Sequence, residues 1–141
     1  MYIFQTGPLF SVGDPTSRLA VGDAEYVEAI HTNGGLLSAG IGAAIGDADF
    51  FVNGGTSQPG CLTNTCSHNR VVELYVESVN QNRFFSTRCV DEREASRERC
   101  SSTPGAWMGG EPSNHRFRLR GIFSTPTARS SPFAQGALQP N

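Results

Sequence analysis

One compact domain that mixes strands with a helix is what the sequence predicts, and three observations carry that expectation. Two short runs rich in β-branched and aromatic residues lie at 25–33 and 48–53. A run at 67–79 repeats its apolar residues at helical spacing, and a glycine-rich stretch separates the two strand-like runs. With 141 residues, 38% hydrophobic and 17% charged, the chain has the length and composition of a single soluble core.

Taken in order, EYVEAIHTN (25–33) sets Tyr26, Glu28 and Ile30 against Val27, Ala29 and His31, an alternation that reads as a strand. GGLLSAGIGAAIGD (34–47) is too rich in glycine for a regular helix and reads as a loop. ADFFVN (48–53) is a second strand, stopped by Gly54 and Gly55. From Ser67 to Val79, Val71, Val72, Tyr75, Val76 and Val79 fall three and four apart, placing them on one helix face. Ser67 is the expected N-cap, which puts His68 in the first turn. The stretch from Arg88 to Arg99, in which Asp91, Glu92, Glu94 and Glu98 dilute the arginines, reads as a solvated mixed-charge loop or helix face. TPGAWMGGEPS (103–113) reads as a turn and RFRLRGIFST (116–125) as the site of a strand. No internal repeat is present.

Composition removes several classes of function. The formal net charge is -2, with eleven arginines and no lysine, and no basic run is available to neutralise phosphates, so nucleic acid is not an expected partner. No stretch approaches the roughly 20 apolar residues of a membrane-spanning helix. The start, MYIFQTGPLF, lacks a basic n-region and is interrupted by Gly7 and Pro8, unlike a signal peptide. The four cysteines nevertheless suggest an oxidising compartment, so either disulfides do not form or the parent chain begins upstream of Met1.

Cys61 and Cys66 could close a small ring and Cys89 and Cys100 a larger one, contributing about 2 and 3 kcal/mol by loop-closure entropy. A zinc site on Cys61, Cys66 and His68 is the rival, but four intervening residues and the absence of a second close ligand pair fit zinc poorly. No metal or cofactor is therefore expected. A histidine acting as general base in acyl transfer needs a nucleophile, and no serine, including Ser38, Ser57 and Ser67, sits in a GxSxG elbow.

Six pieces resemble, in order and spacing, the pancreatic-type triglyceride lipase family, particularly its insect neutral lipase and phospholipase A1-like members. They are GPLF (7–10), RLAVGDAEYVEAIHTN (18–33), GDADFFVNGGTSQPGC (46–61), CSHNRVVELYVES (66–78), MGG (108–110) and SPFAQG (131–136). The resemblance implies the C-terminal portion of an α/β-hydrolase fold with an incomplete sheet. Residues 1–6 are then a divergent segment and 7–141 a partial catalytic domain. It also implies a secreted protein, which resolves the conflict over compartment, and disulfides Cys61–Cys66 and Cys89–Cys100. His68 takes the role of general base, and His31, at the IHT position, is structural. The family's lid, closed by the pair matching Cys61 and Cys66, is reduced here to LTNT, which resembles the short-lidded phospholipase A1-like members and leans the preference towards phospholipids.

The departures are specific. Phe4 stands where the family's catalytic aspartate precedes GPLF, and Asp14, in GDP, falls in the following loop instead. Arg18 and Asp23 match a calcium-binding loop, but Ala20 replaces a carboxylate ligand, so calcium is not expected. The expectation is a fragment of a secreted serine lipase, hydrolysing carboxylic esters of triglycerides or phospholipids and inactive alone. The alternative is a non-catalytic, lipid-binding or yolk-type storage relative.

Overall fold

The computed structural model describes residues 2–3, 10–110 and 113–136. Six strands, β1 (Tyr2–Ile3), β2 (Glu28–His31), β3 (Ala48–Val52), β4 (Phe85–Cys89), β5 (Ser102–Trp107) and β6 (Gly121–Thr125), form one mixed sheet in the order β1-β2-β3-β6-β4-β5. β1, β2, β3 and β6 run parallel, and β4 and β5 are antiparallel additions at the β6 side. Among the described residues two α-helices, α1 (Asn64–Asn80) and α2 (Glu92–Ser96), and short 3-10 turns accompany it. The arrangement is consistent with an α/β domain.

Alternation along the strands divides the core in two. Ile30, Phe50, Val52 and Phe123 face Val71 and Leu74 of α1 in the larger cluster, with Phe50 and Phe123 stacked 4.9 Å apart. On the other face, Ala29 packs with Ile41 and Ile45 of the glycine-rich loop, and Phe51 packs with Cys89, Ala95 and Ile122. Every residue of β2 and β3 is buried, as befits parallel strands covered on both sides.

Both strands read from the sequence are present, shorter than drawn. Residues 34–47 form a loop, closed by a bridge between Gly34 and Gly40. Gly34 allows no side chain, because a Cβ there would overlap the backbone of Gly42 and Ile41. At 116–125 the strand occupies only Gly121–Thr125, preceded by a 3-10 turn at Asn114–Phe117.

Two readings of α1 are corrected. Its N-cap is Thr63, whose hydroxyl accepts from the Cys66 N–H at 3.1 Å, so the helix starts at Asn64 and His68 is its fifth residue. Ser67 lies inside the helix, its hydroxyl accepting from Gln58 N–H at 2.9 Å. The valine stripe is likewise not the buried face. Val72 and Val76 are each 52% exposed and Val79 45%, whereas Ser67, Arg70, Val71, Leu74 and Ser78 are buried. Polar partners set this rotation: Arg70 donates to Pro59 O and lies over the Phe133 ring, and Ser78 Oγ accepts from Gly110 N–H.

The 103–113 stretch is not simply a turn, since Ser102–Trp107 is an edge strand. Pro104, which cannot donate to a ladder, is tolerated there because only one side of β5 is paired. Within the charged stretch, α2 is solvated apart from buried Ala95, and Asp91 caps it by accepting from Glu94 N–H. Arg88 departs from the solvated reading: its guanidinium covers the Phe123 ring at 4.7 Å and donates to Pro104 O and Arg120 O.

Candidate functional site

The Cys61–Cys66 disulfide, with Cα atoms 5.4 Å apart, closes a ring that contains the N-cap and first two residues of α1. Both sulfurs are thereby consumed, which removes the zinc set of Cys61, Cys66 and His68. Leu62 at the ring's tip is fully exposed. Arg70 donates to Cys61 Sγ at 3.4 Å, tying the ring to the second turn. Cys89–Cys100 forms the second disulfide, bracketing α2.

The helix carries His68 over the C-terminal ends of β2 and β3, where His68 shares a small cleft with Ile30, His31, Thr32, Asn33, Gly40 and Ile41. Crevices at the carboxyl ends of parallel strands are where ligands bind in open α/β sheets. His68 is half-buried, and among the described residues no hydrogen bond engages its ring. Its backbone carbonyl accepts from Thr32 Oγ1 at 3.4 Å.

His31 occupies a different chemical position. It is buried, with Nδ1 2.9 Å from Ile41 O and Nε2 2.9 Å from Asp49 Oδ1, and its ring stacks on Phe51. Asp49 also accepts from Ile45 and Gly46 N–H, so the pair pins the glycine-rich loop to the strand ends. With both ring nitrogens engaged, His31 works as a structural cross-link, the role expected for it.

Further polar groups, not singled out as functional in the sequence, brace the sheet at its two ends. Asn33 donates to Thr56 O and Asn64 Oδ1 and accepts from Ala39 N–H, joining the glycine-rich loop to the start of α1. Asn64 in turn donates to Leu37 O. Glu28 lies under the opposite end, fully buried, accepting from Tyr26 Oη, Gly109 N–H and Asn114 Nδ2. Burial pushes its carboxyl above the ordinary range, and the three donors only partly offset that. Each of these residues sits inside a quoted motif, but its contacts span up to 86 residues, so spacing along the chain carries no signal for them.

The remaining sequence candidates are not gathered here. Phe4 lies outside the described residues. Asp14 is exposed and accepts from Thr16 N–H and Oγ1, and the Thr16 hydroxyl bond is the main cause holding its carboxyl below the ordinary value. Asp23 is exposed and accepts from Ala20 N–H at 2.8 Å, a local turn contact.

A family model described as Lipase matches residues 5–113. The chain belongs to the lipase family. Among curated relatives, this lipase-family chain is 40% identical over 77 residues to "Phospholipase A1" of Vespa velutina, an alignment covering 52% of this chain and 24% of that protein. It is 43% identical over 75 residues to "Phospholipase A1 2" of Polistes dominula (53% of this chain, 23% of that protein). "Lipase member H-A" of Xenopus laevis is 38% identical over 84 residues (54% and 18%). The matches therefore span about a quarter or less of these relatives. Membership accords with the pancreatic-type resemblance, and among the described residues no helix is long and apolar enough to cross a membrane.

Proposed function

We propose that this chain is the C-terminal part of an α/β-hydrolase catalytic domain, from a secreted lipase that cleaves carboxylic esters of triglycerides or phospholipids, with His68 as the general base. The observation that carries this reading is the contrast between two histidines at one sheet end: His31 has both nitrogens engaged, whereas the His68 ring has no described partner and borders a cleft. A general base must have a ring nitrogen available to the nucleophile's proton. His68 would take that proton as the serine attacks the ester carbonyl, then return it to the leaving alkoxide. The Cys61–Cys66 ring, which places Leu62 and Thr63 between Cys61 and the start of α1, supports a short lid and a preference for phospholipid. The two disulfides support secretion.

The sequence contains no GxSxG elbow, so this polypeptide alone is proposed to be inactive. The purified chain should hydrolyse p-nitrophenyl butyrate no faster than its His68→Ala variant. Turnover that disappears in His68→Ala would overturn the inactivity and keep the base. In a protein that joins this chain to a serine elbow, full activity after His68→Ala would remove the base assignment.

A second reading, as a non-catalytic lipid-binding relative, is favoured by one observation. Leu36, Leu37 and Leu62 are 95%, 90% and 100% exposed, and Asn64, inside the disulfide ring, donates to Leu37 O. Co-sedimentation with phosphatidylcholine vesicles, lost when the three leucines become serine, would support that reading if no ester is cleaved.

A further inference from the structure

Gln58 lies between the end of β3 and the disulfide ring, and it is 3% exposed. Its carboxamide Nε2 donates to Thr32 O at 2.9 Å and to Val52 O at 2.8 Å, one carbonyl just beyond β2 and the other at the end of β3. Its Oε1 accepts from Asn53 Nδ2 at 3.0 Å, and its backbone N–H donates to Ser67 Oγ at 2.9 Å. Two separate routes thus run from Gln58 to the backbone around His68. One passes through Ser67, its chain neighbour; the other passes through Thr32, whose hydroxyl donates to the His68 carbonyl.

We propose that Gln58 is a positioning residue, setting the height and direction of His68 above the ends of β2 and β3 by clamping both strands to α1. The proposal rests on the reading of His68 as the base. The physical need is clear: α1 is anchored to the core by Val71 and Leu74, three and six residues beyond His68, while Ser67 and the His68 carbonyl tie its first turns to Gln58 and Thr32 by hydrogen bonds. A carboxamide suits this position because its two N–H groups meet two carbonyls while its oxygen meets a donor. Glutamate would set an oxygen against both carbonyls, and methionine would fill the volume but leave both carbonyls unpaired.

The test reads the His68 ring rather than turnover. Wild type, Gln58→Met and Ser67→Ala are labelled with diethyl pyrocarbonate well below their melting temperatures, and labelling of each histidine is followed by peptide mass spectrometry. The ring nitrogen shifts of His68 are recorded in parallel. The expected result is a several-fold change in His68 labelling and moved ring resonances in both variants, with exposed His115 unchanged. Leu119→Ala, which destabilises the core away from this clamp, should leave the His68 ring as in wild type. Unchanged His68 labelling and resonances in folded Ser67→Ala would overturn the proposal, as would an equal change in Leu119→Ala. If Gln58→Met does not fold, Ser67→Ala decides alone. Because turnover is not measured, failure of the clamp is separate from failure of the catalytic reading, which the His68→Ala assays address.

Discussion

The two histidines at the head of the sheet make opposite demands on the protein. Removing the His31 ring leaves buried Asp49 without its cross-link and empties the space against Phe51, so His31→Ala should cost about 3 kcal/mol. His68→Ala removes a ring with no described hydrogen bond and should shift stability by about 0.5 kcal/mol or less. Urea unfolding of both variants checks the pair, and equal losses would contradict the division of roles. Glu28 supplies a pH signature. Its folded pKa is raised, so between the ordinary carboxylate value and the folded one the native state holds the proton that the unfolded chain has released. Its contribution therefore falls as pH rises through that window. The stability of wild type relative to Glu28→Gln should decline from about pH 4 towards neutrality, measured by urea midpoints. A relative stability that rises with pH would reverse the sign.

At the level of elements, α1 shows how a correct helix can be rotated on its axis in a sequence reading. Hydrophobic spacing favoured the valines, but the face that meets the sheet pairs Val71 and Leu74 with polar Ser67, Arg70 and Ser78, each of which has a hydrogen-bond partner outside the helix. Leu74→Ala should cost about 3 kcal/mol through the cavity it leaves, whereas Val76→Gln should cost about 0.5 kcal/mol or less. Denaturant midpoints for the two variants distinguish the observed face from the valine face. The helix start moved for a related reason. Thr63 and Ser67 are both good caps by type, and the choice between them was made by the disulfide ring and by Gln58, which uses the Ser67 hydroxyl for another purpose. β5 was hidden by its Pro and Gly, residues that a central strand excludes and an edge strand tolerates.

For the whole molecule, the sheet has uneven flanks. β1 pairs only with Glu28 and Ala29, so along this edge no described strand covers Ile30 and His31. The helix meanwhile presents Val72, Val76 and Val79 to solvent, and β5 is the other edge of the sheet. Unpaired edges and apolar stripes favour association. The purified chain is expected to self-associate at micromolar concentrations and to melt over a broad range. A sharp, concentration-independent transition of a monomer, seen by calorimetry and light scattering, would count against this.

By itself the sequence determined the class of the domain, two central strands, the existence of α1 and the family, because those rest on local alternation, helical period and motifs whose order is visible along the chain. It also separated His31 from His68 by motif. Tertiary structure alone decided which face of α1 is buried, where the helix begins, that β4 and β5 join the sheet, and that Gln58, Asp49 and Glu28 are its polar anchors. The reason is common to all of these: each depends on hydrogen bonds, disulfide closure or packing between different segments, many of them tens of residues apart, and the energy of such contacts leaves no period in the sequence.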